Sequence, residues 1–192
     1  MTGPRLTPRL AALVDRLTEA RAELLAVAAS IAPGEGGRRP AADAWSVGEI
    51  LEHLRIVESG VVRAWSRLVA RCDLAALGPE TATDPEASPL DEHRLDQRLG
   101  RIAAPERVRP APGADASAAL AGLAQSRREL LALIERVNGV ALGTLTLPHP
   151  FLGPLSLYDW LVFIAQHERR HAAQADKTID ALRRAASAAP QP

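Results

Sequence analysis

Two histidines, His167 and His171, lie four positions apart in the last quarter of the chain. Residues with this spacing on an α-helix carry Cβ atoms about 5–6 Å apart, so both rings can reach one cation at roughly 2.0–2.1 Å. Gln174 follows one turn later on the same face. Because buried polar groups need partners, the two rings are either part of a metal site or hydrogen-bonded core residues. They belong to a predicted apolar stripe formed by Trp160, Ile164, His167, His171, Ala175 and Ile179.

A third histidine, His53, lies at the margin of the apolar face of an earlier predicted helix. Gly60 follows seven positions later on the same side, where a missing side chain leaves room for a ligand above the imidazole. If these two helices are neighbours, His53 completes a three-histidine site with an open position for water or substrate. Imidazoles suit zinc, nickel, iron or copper about equally well, so the ligand type leaves the identity of the divalent ion open. Taken alone, His53 is more typical of a hydrogen-bonded core residue.

The segment from His167 to His171 also spells HExxH, the pattern of zinc proteases in which the glutamate is the general base. Such enzymes need a third ligand, usually downstream, and no histidine or glutamate follows His171. They also place a sheet beside the helix, and we predict no strand. Glu168 is turned about 100° from the histidine face. It is then expected either to be solvated or to contact a metal ligand without binding the metal itself. A zinc hydrolase is therefore the least favoured function.

The elements that must position these histidines are predicted to be four long helices. Thr7 before Pro8 is typical of a helix start, Ser46 and Glu49 form a capping box, and Ser156 with Asp159 begins the last helix. Apolar periodicity places the helices at approximately 7–31, 46–71, 117–138 and 156–184, followed by a flexible tail at 185–192. These features predict an all-α protein, a four-helix bundle, with residues 1–192 forming a single domain.

The connection between the second and third helices, residues 73–113, is long and rich in proline. Most of it cannot form a regular element, although a short helix is possible at about 91–99. A loop of this length is typical of a lid, a pocket wall or a disordered segment, and these three interpretations stay open.

The composition excludes several classes of function. The chain has 23 basic and 23 acidic residues with its arginines scattered, so nothing favours nucleic acid or an anionic membrane as a partner. No stretch is apolar enough to span a bilayer and no secretory signal is evident. Cys72 is the sole cysteine, so no internal disulfide is possible, which favours a cytoplasmic location.

The histidine pattern and its surroundings resemble the DinB-like metal-binding four-helix bundles, a family distinct from the DNA polymerase of similar name. The resemblance covers most of the chain and is carried by residues 45–54, which open the second helix, by residues 149–155, which lead into the fourth, and by His167, His171 and Gln174. It implies metal ligation by His53, His167 and His171. Homodimers are common in this family.

The family resemblance further implies a thiol-dependent transferase or isomerase that uses a low-molecular-weight thiol such as bacillithiol, mycothiol or glutathione. We therefore expect a metal-activated thiol or water to attack a small electrophilic substrate. Trp45, His149 and Phe151 are candidates for the pocket wall, alongside Gly60 and Gln174, and Tyr158 is a weak candidate for a proton donor. Cys72 lies several turns from His53, so the thiol should be external. The alternative is a non-catalytic, dimeric metal- or ligand-binding bundle with a sensing role.

Overall fold

The computed structural model describes residues 5–82, 90 and 103–188. Four helices carry most of the described residues: α1 (Pro8–Ala29), α2 (Val47–Arg71), α3 (Ala116–Arg136) and α4 (Leu157–Ala188). Short 3-10 turns lie at Leu74–Leu77 and Glu106–Val108, and strands β1 (Thr146–His149) and β2 (Gly153–Ser156) precede α4. The predicted four-helix bundle with a long connection between α2 and α3 is thus confirmed. The short helix predicted at about 91–99 falls outside the described residues.

Helix α1 packs mainly on α4, α2 packs mainly on α3, and α2 also contacts α4. The apolar stripes of all four helices face inward, and each fully buried leucine or isoleucine stabilises the fold by about 1.5–3 kcal/mol. Leu17, Trp65 and Ile134 lie in one part of the core, while Leu24, Ile50 and Ile179 lie in the other. The contact between α2 and α4 brings His53 beside the histidine pair. None of the helices in the described ranges has the length and apolar character needed to cross a membrane.

Capping boxes begin both helices that carry the histidines. At α2, the Glu49 N–H donates to Ser46 Oγ at 3.2 Å and the Ser46 N–H donates to Glu49 Oε2 at 2.8 Å. At α4, the Ser156 N–H donates to Asp159 Oδ2 at 3.0 Å and the Asp159 N–H donates to Ser156 Oγ at 3.2 Å. Each box pairs two backbone N–H groups that the helix start would otherwise leave without an acceptor.

The start of α1 differs from the prediction. The Thr7 hydroxyl makes no capping hydrogen bond, and its oxygen is buried with no partner among the described residues. Instead, the Thr7 N–H donates to Asn138 Oδ1 at 2.9 Å, so a contact from the end of α3 holds this segment. Pro8 still occupies the first helical turn, where its missing N–H costs nothing.

The prediction that the chain contains no strand is wrong, because β1 and β2 form an antiparallel hairpin immediately before α4. Pro148 and Pro154 lie opposite each other in it, and proline is unfavourable inside a sheet because it cannot donate a hydrogen bond to a neighbouring strand. They are tolerated because both strands of a two-stranded sheet are edges. At the other end, α4 continues to Ala188, so the flexible tail predicted from residue 185 begins as helix.

Candidate metal centre

His53 from α2 and His167 and His171 from α4 meet inside the bundle. The Nε2 atom of His167 lies 3.2 Å from Nε2 of His53 and 3.2 Å from Nε2 of His171. All three residues are buried, with 3–8% of their surface exposed. One ligand atom from each ring falls within 4.8 Å of the others, which brings together the three residues that the sequence singled out.

Two of the rings have their protonation pattern set by a carbonyl oxygen. His53 Nδ1 lies 2.7 Å from the Val108 carbonyl oxygen, and His171 Nδ1 lies 2.7 Å from Gln174 Oε1. Because a carbonyl oxygen can only accept, each Nδ1 carries the proton, and each Nε2 presents a lone pair. Both lone pairs therefore face His167 Nε2. Ligand histidines are typically held in this way by an acceptor on the ring nitrogen that does not bind the metal.

The geometry fits a single cation better than it fits hydrogen bonds alone. His167 Nε2 has at most one proton to donate, so it cannot make a full hydrogen bond to both neighbouring nitrogens. In a tetrahedral site with bonds of 2.0–2.1 Å, neighbouring nitrogens are about 3.3 Å apart. The two separations of 3.2 Å are close to that value. The three histidines could thus supply three of the four ligands of a tetrahedral site.

Burial keeps these imidazoles neutral, which is the form that binds metal. Desolvation lowers the pKa of His171 to about 3, with the positive charge of nearby groups, including Arg170, acting in the same direction. Desolvation also lowers the pKa of His53 and takes the pKa of His167 well below its usual value. Arg170 Nη2 lies 3.4 Å from His171 Nε2, so a bound cation would take over the lone pair that this guanidinium contacts.

The Val108 contact comes from the 3-10 turn at the end of the long loop, which α2 itself anchors. The Gly113 N–H donates to Glu49 Oε1 at 3.1 Å, so the carboxylate of the capping box also holds the loop. Gly48 packs directly against Ala114, because a Cβ added at Gly48 would lie 2.1 Å from the Ala114 carbonyl oxygen. The start of α2 thus fixes the loop segment that orients His53.

A cavity of about 1290 Å³ adjoins the three histidines. The predicted wall residues all line it, and Gly60 has open space where a side chain would lie. The Trp45 ring lies 5.1 Å from the His53 ring, and Phe163 stacks on His167 at 5.1 Å. Gln174 also lines the cavity, and its Oε1 atom orients His171 by accepting from Nδ1. The predicted lining residues are Trp45, Gly60, His149, Phe151 and Gln174.

His149 is a fourth histidine in this cavity, and it is oriented by the turn of the hairpin. Its Nδ1 accepts hydrogen bonds from the N–H groups of Phe151 and Leu152, both at 3.2 Å. The ring proton is therefore on Nε2, which makes His149 a hydrogen-bond donor. Desolvation, followed by the nearby charge of Arg107, lowers the pKa of His149 to about 4, so the ring is neutral at physiological pH.

Glu168 does not face the histidines, and the expectation that it is solvated is wrong. Its carboxylate is buried and accepts from Arg21 Nε at 2.9 Å and from Arg127 Nη2 at 3.0 Å. Glu58 accepts from the same two arginines, at 2.7 Å from Arg21 Nη2 and 3.0 Å from Arg127 Nε. One charged residue from each helix thus closes a buried ring, here called the charge ring. This arrangement occupies the carboxylate that a protease would use as its base.

Two weaker candidates lie away from the cavity. Cys72 caps the C-terminal end of α2 and is not among the lining residues. The Tyr158 hydroxyl contacts Glu80 and accepts from the Leu142 N–H at 3.4 Å. Burial and the bond to Glu80 raise the pKa of Tyr158 to about 12, and its hydroxyl lies outside the cavity, so it does not serve as the proton donor.

Comparisons with known proteins agree with this fold. The sequence model of the DinB superfamily matches residues 16–175. The chain is similar to the uncharacterized protein YuaE of Bacillus subtilis (strain 168), with 25% identity over 155 residues, 77% of this chain and 85% of YuaE. It is also similar to the crystal structure of TT2238, a four-helix bundle protein, with a TM-score of 0.55 and 22% identity, covering 88% of this chain and 98% of the other.

Proposed function

This chain belongs to the DinB superfamily, and on that premise we propose that it is a metal-dependent enzyme that uses a small thiol to attack an electrophilic substrate. The observation that carries the proposal is the convergence of three Nε2 atoms beside an open cavity, with His167 Nε2 lying 3.2 Å from each of the other two. His53, His167 and His171 would hold a divalent ion, zinc or nickel. We expect first a transferase, in which the thiol becomes part of the product. The second possibility is an isomerase, in which the thiol is released unchanged after the reaction.

A divalent ion held by three neutral imidazoles would lower the pKa of a thiol or water in its fourth position and so supply a nucleophile near neutral pH. The protein's residues have separate tasks. Val108 and Gln174 hold His53 and His171 with their lone pairs directed inward. His149, whose ring contacts Phe163 at 4.6 Å, would offer its Nε2–H to an oxygen or leaving atom of the substrate. In the transfer, a sulfur–carbon bond forms, the thiol proton passes to solvent, and the leaving atom departs with its electron pair.

The size and shape of the cavity support a reaction of two substrates. Pockets for one small ligand are about 300–1,000 Å³, whereas this cavity measures about 1290 Å³. One wall is aromatic, with Phe163 and Trp160 in edge-to-face contact at 5.4 Å, and suits an apolar electrophile. The three histidines adjoin this wall, since Phe163 stacks on His167 at 5.1 Å. A thiol and an acceptor can therefore lie in the same cavity.

The alternative of a non-catalytic bundle is less well supported by the geometry. A structural metal site is closed by four protein ligands, whereas three histidines beside a cavity leave one position free. Gln174 is not a fourth ligand, because its oxygen accepts from His171 Nδ1. We further propose that the protein is cytoplasmic and acts as a homodimer.

The test combines metal analysis with an activity panel. Purified protein should bind one divalent ion per chain, and His171→Ala should lose that ion with only a modest loss of helicity. Bacillithiol, mycothiol and glutathione would then be assayed with an electrophilic acceptor on metal-loaded protein. Cys72→Ser is the matched control and should retain full activity, because the thiol is external. Absence of bound metal in gently purified protein would contradict the proposal, as would unfolding of His171→Ala, which would assign the site a structural role.

A further inference from the structure

The charges around the cavity are strongly segregated. The chain as a whole is balanced, with 23 basic and 23 acidic residues. In contrast, Asp43 is the sole carboxylate among the described residues that line the cavity. Five basic residues line it with Asp43: Arg63, Arg107, Arg169, Arg170 and Lys177.

Ion pairs among the described residues account for only part of this excess. Arg169 is bound to Glu19 at 3.1 Å and to Glu23 at 3.2 Å, so its charge is compensated on the outer side of the bundle. Arg63, Arg107 and Lys177 are exposed and come from three different elements: α2, the second 3-10 turn and α4. We call these three residues the basic rim. They surround the cavity with positive charge from several sides.

A metal ion bound by the three histidines would further favour an anionic ligand in the cavity. Three neutral imidazoles contribute no charge, so a divalent ion among them would keep both of its positive charges. Arg170, 3.4 Å from His171 Nε2, lies at the same end of the cavity. A bound cation with no carboxylate ligand, in a site partly shielded from water, is stabilised by anionic ligands. With such an ion bound, the positive charge of the cavity would extend from the histidines through Arg170 to the basic rim.

We propose that the cavity binds a small organic acid carrying at least two carboxylates, which the basic rim recognises. The inference rests on the proposed function, since it names the substrate class of the same site. The guanidinium groups of Arg63 and Arg107 match a carboxylate with two parallel hydrogen bonds. Because the rim residues belong to separate elements, they suit charges spread along a carbon chain better than one compact anion.

Calorimetric titration with non-thiol probes tests the inference independently of catalysis. Succinate, its neutral diamide succinamide, and inorganic phosphate would be titrated into metal-free and zinc-loaded protein. Succinate should bind at least tenfold more tightly than succinamide in both forms, and more tightly than phosphate. Equal affinity for succinate and succinamide would overturn the proposal. Phosphate binding as tight as succinate binding would overturn the assignment to carboxylates.

Single substitutions locate the binding. Arg63→Gln and Arg107→Gln should each weaken succinate binding on the order of 5–10-fold, the usual effect of losing one charge-assisted contact. Arg67→Gln is the matched control, because Arg67 is exposed one turn away on the same helix and does not line the cavity. Losses no larger than that of Arg67→Gln would refute the role of the rim. If the protein bound succinate through the rim but no zinc, the metal-dependent function would fail while this inference would hold.

Discussion

The charge ring makes a sharp prediction about Glu168, the central acid of the HExxH segment. In Glu168→Gln, the guanidinium groups of Arg21 and Arg127 keep Glu58 as their one carboxylate partner within the described part of the chain. Glu168 is 1% exposed, so water cannot replace the lost charge. Breaking one partner of a buried ion pair costs about 3–5 kcal/mol, a large part of a typical stability of 5–15 kcal/mol. In a chain of this size the melting temperature should fall by roughly 6–20 °C.

Urea unfolding followed by circular dichroism measures this loss in the metal-free protein. Glu19→Gln is the control, because Glu19 also pairs with an arginine, Arg169 at 3.1 Å, but at the surface. That substitution should cost less than about 1 kcal/mol. Metal affinity should be unchanged in both variants, because neither carboxylate faces the histidines.

The opposite pattern would refute the reasoning. If Glu168→Gln were as stable as Glu19→Gln but inactive, Glu168 would be a general base and the charge ring would not carry stability. A double variant adds a second check on charge: replacing Glu168 and Glu58 together with glutamine should destabilise more than either single change, since Arg21 and Arg127 then lose both carboxylates of the charge ring.

Three further predictions concern the histidines and their supports. Gln174→Leu should weaken metal binding about 10–100-fold in a chelator competition, since His171 loses its acceptor, without reducing helicity. Gly48→Ala should destabilise by about 1–3 kcal/mol in urea unfolding because its Cβ meets the Ala114 carbonyl at 2.1 Å, whereas Gly60→Ala, with open space, should gain about 0.5–1 kcal/mol. The metal-free protein should lose stability as pH falls from about 6.5 toward 3. The pKa of His171 is lowered to about 3, so over this range the unfolded chain binds a proton that the folded chain does not. The free energy of unfolding should therefore fall by up to about 1.4 kcal/mol per pH unit. The three predictions would be contradicted, respectively, by an unchanged metal affinity of Gln174→Leu, by equal changes in unfolding free energy for the two glycine variants, and by a stability that does not vary with pH.

The histidine cluster could be predicted from the sequence because helical periodicity is a strong signal. The four-residue spacing of His167 and His171 places both on one stripe, and His53 lies on a second stripe of similar regularity. Bundle packing then leaves few ways to arrange the two faces. Val108 was not predictable, because it acts through its backbone carbonyl and lies 55 residues from His53 in an irregular loop. No side-chain pattern marks such a contact.

The charge ring was missed although the sequence contained a signal for it. Arg21 lies four residues after Leu17 and three before Leu24, on the inward stripe of α1. Arg127 has the same position relative to Leu123 and Leu130. A charged residue at a stripe position requires a buried partner of opposite sign, and two arginines with two glutamates satisfy that requirement. The hairpin was missed for another reason: its prolines are unfavourable in strands except at sheet edges.

X-ray absorption spectroscopy of the zinc-loaded protein measures the proposed centre most directly. Three imidazole nitrogens and one exchangeable water oxygen at about 2.0–2.1 Å are expected, with the oxygen replaced by sulfur at about 2.3 Å after a thiol is added. His53→Ala should lose one of the three nitrogens. A spectrum with four protein ligands that is unaffected by thiol, or one that is unchanged in His53→Ala, would contradict the account.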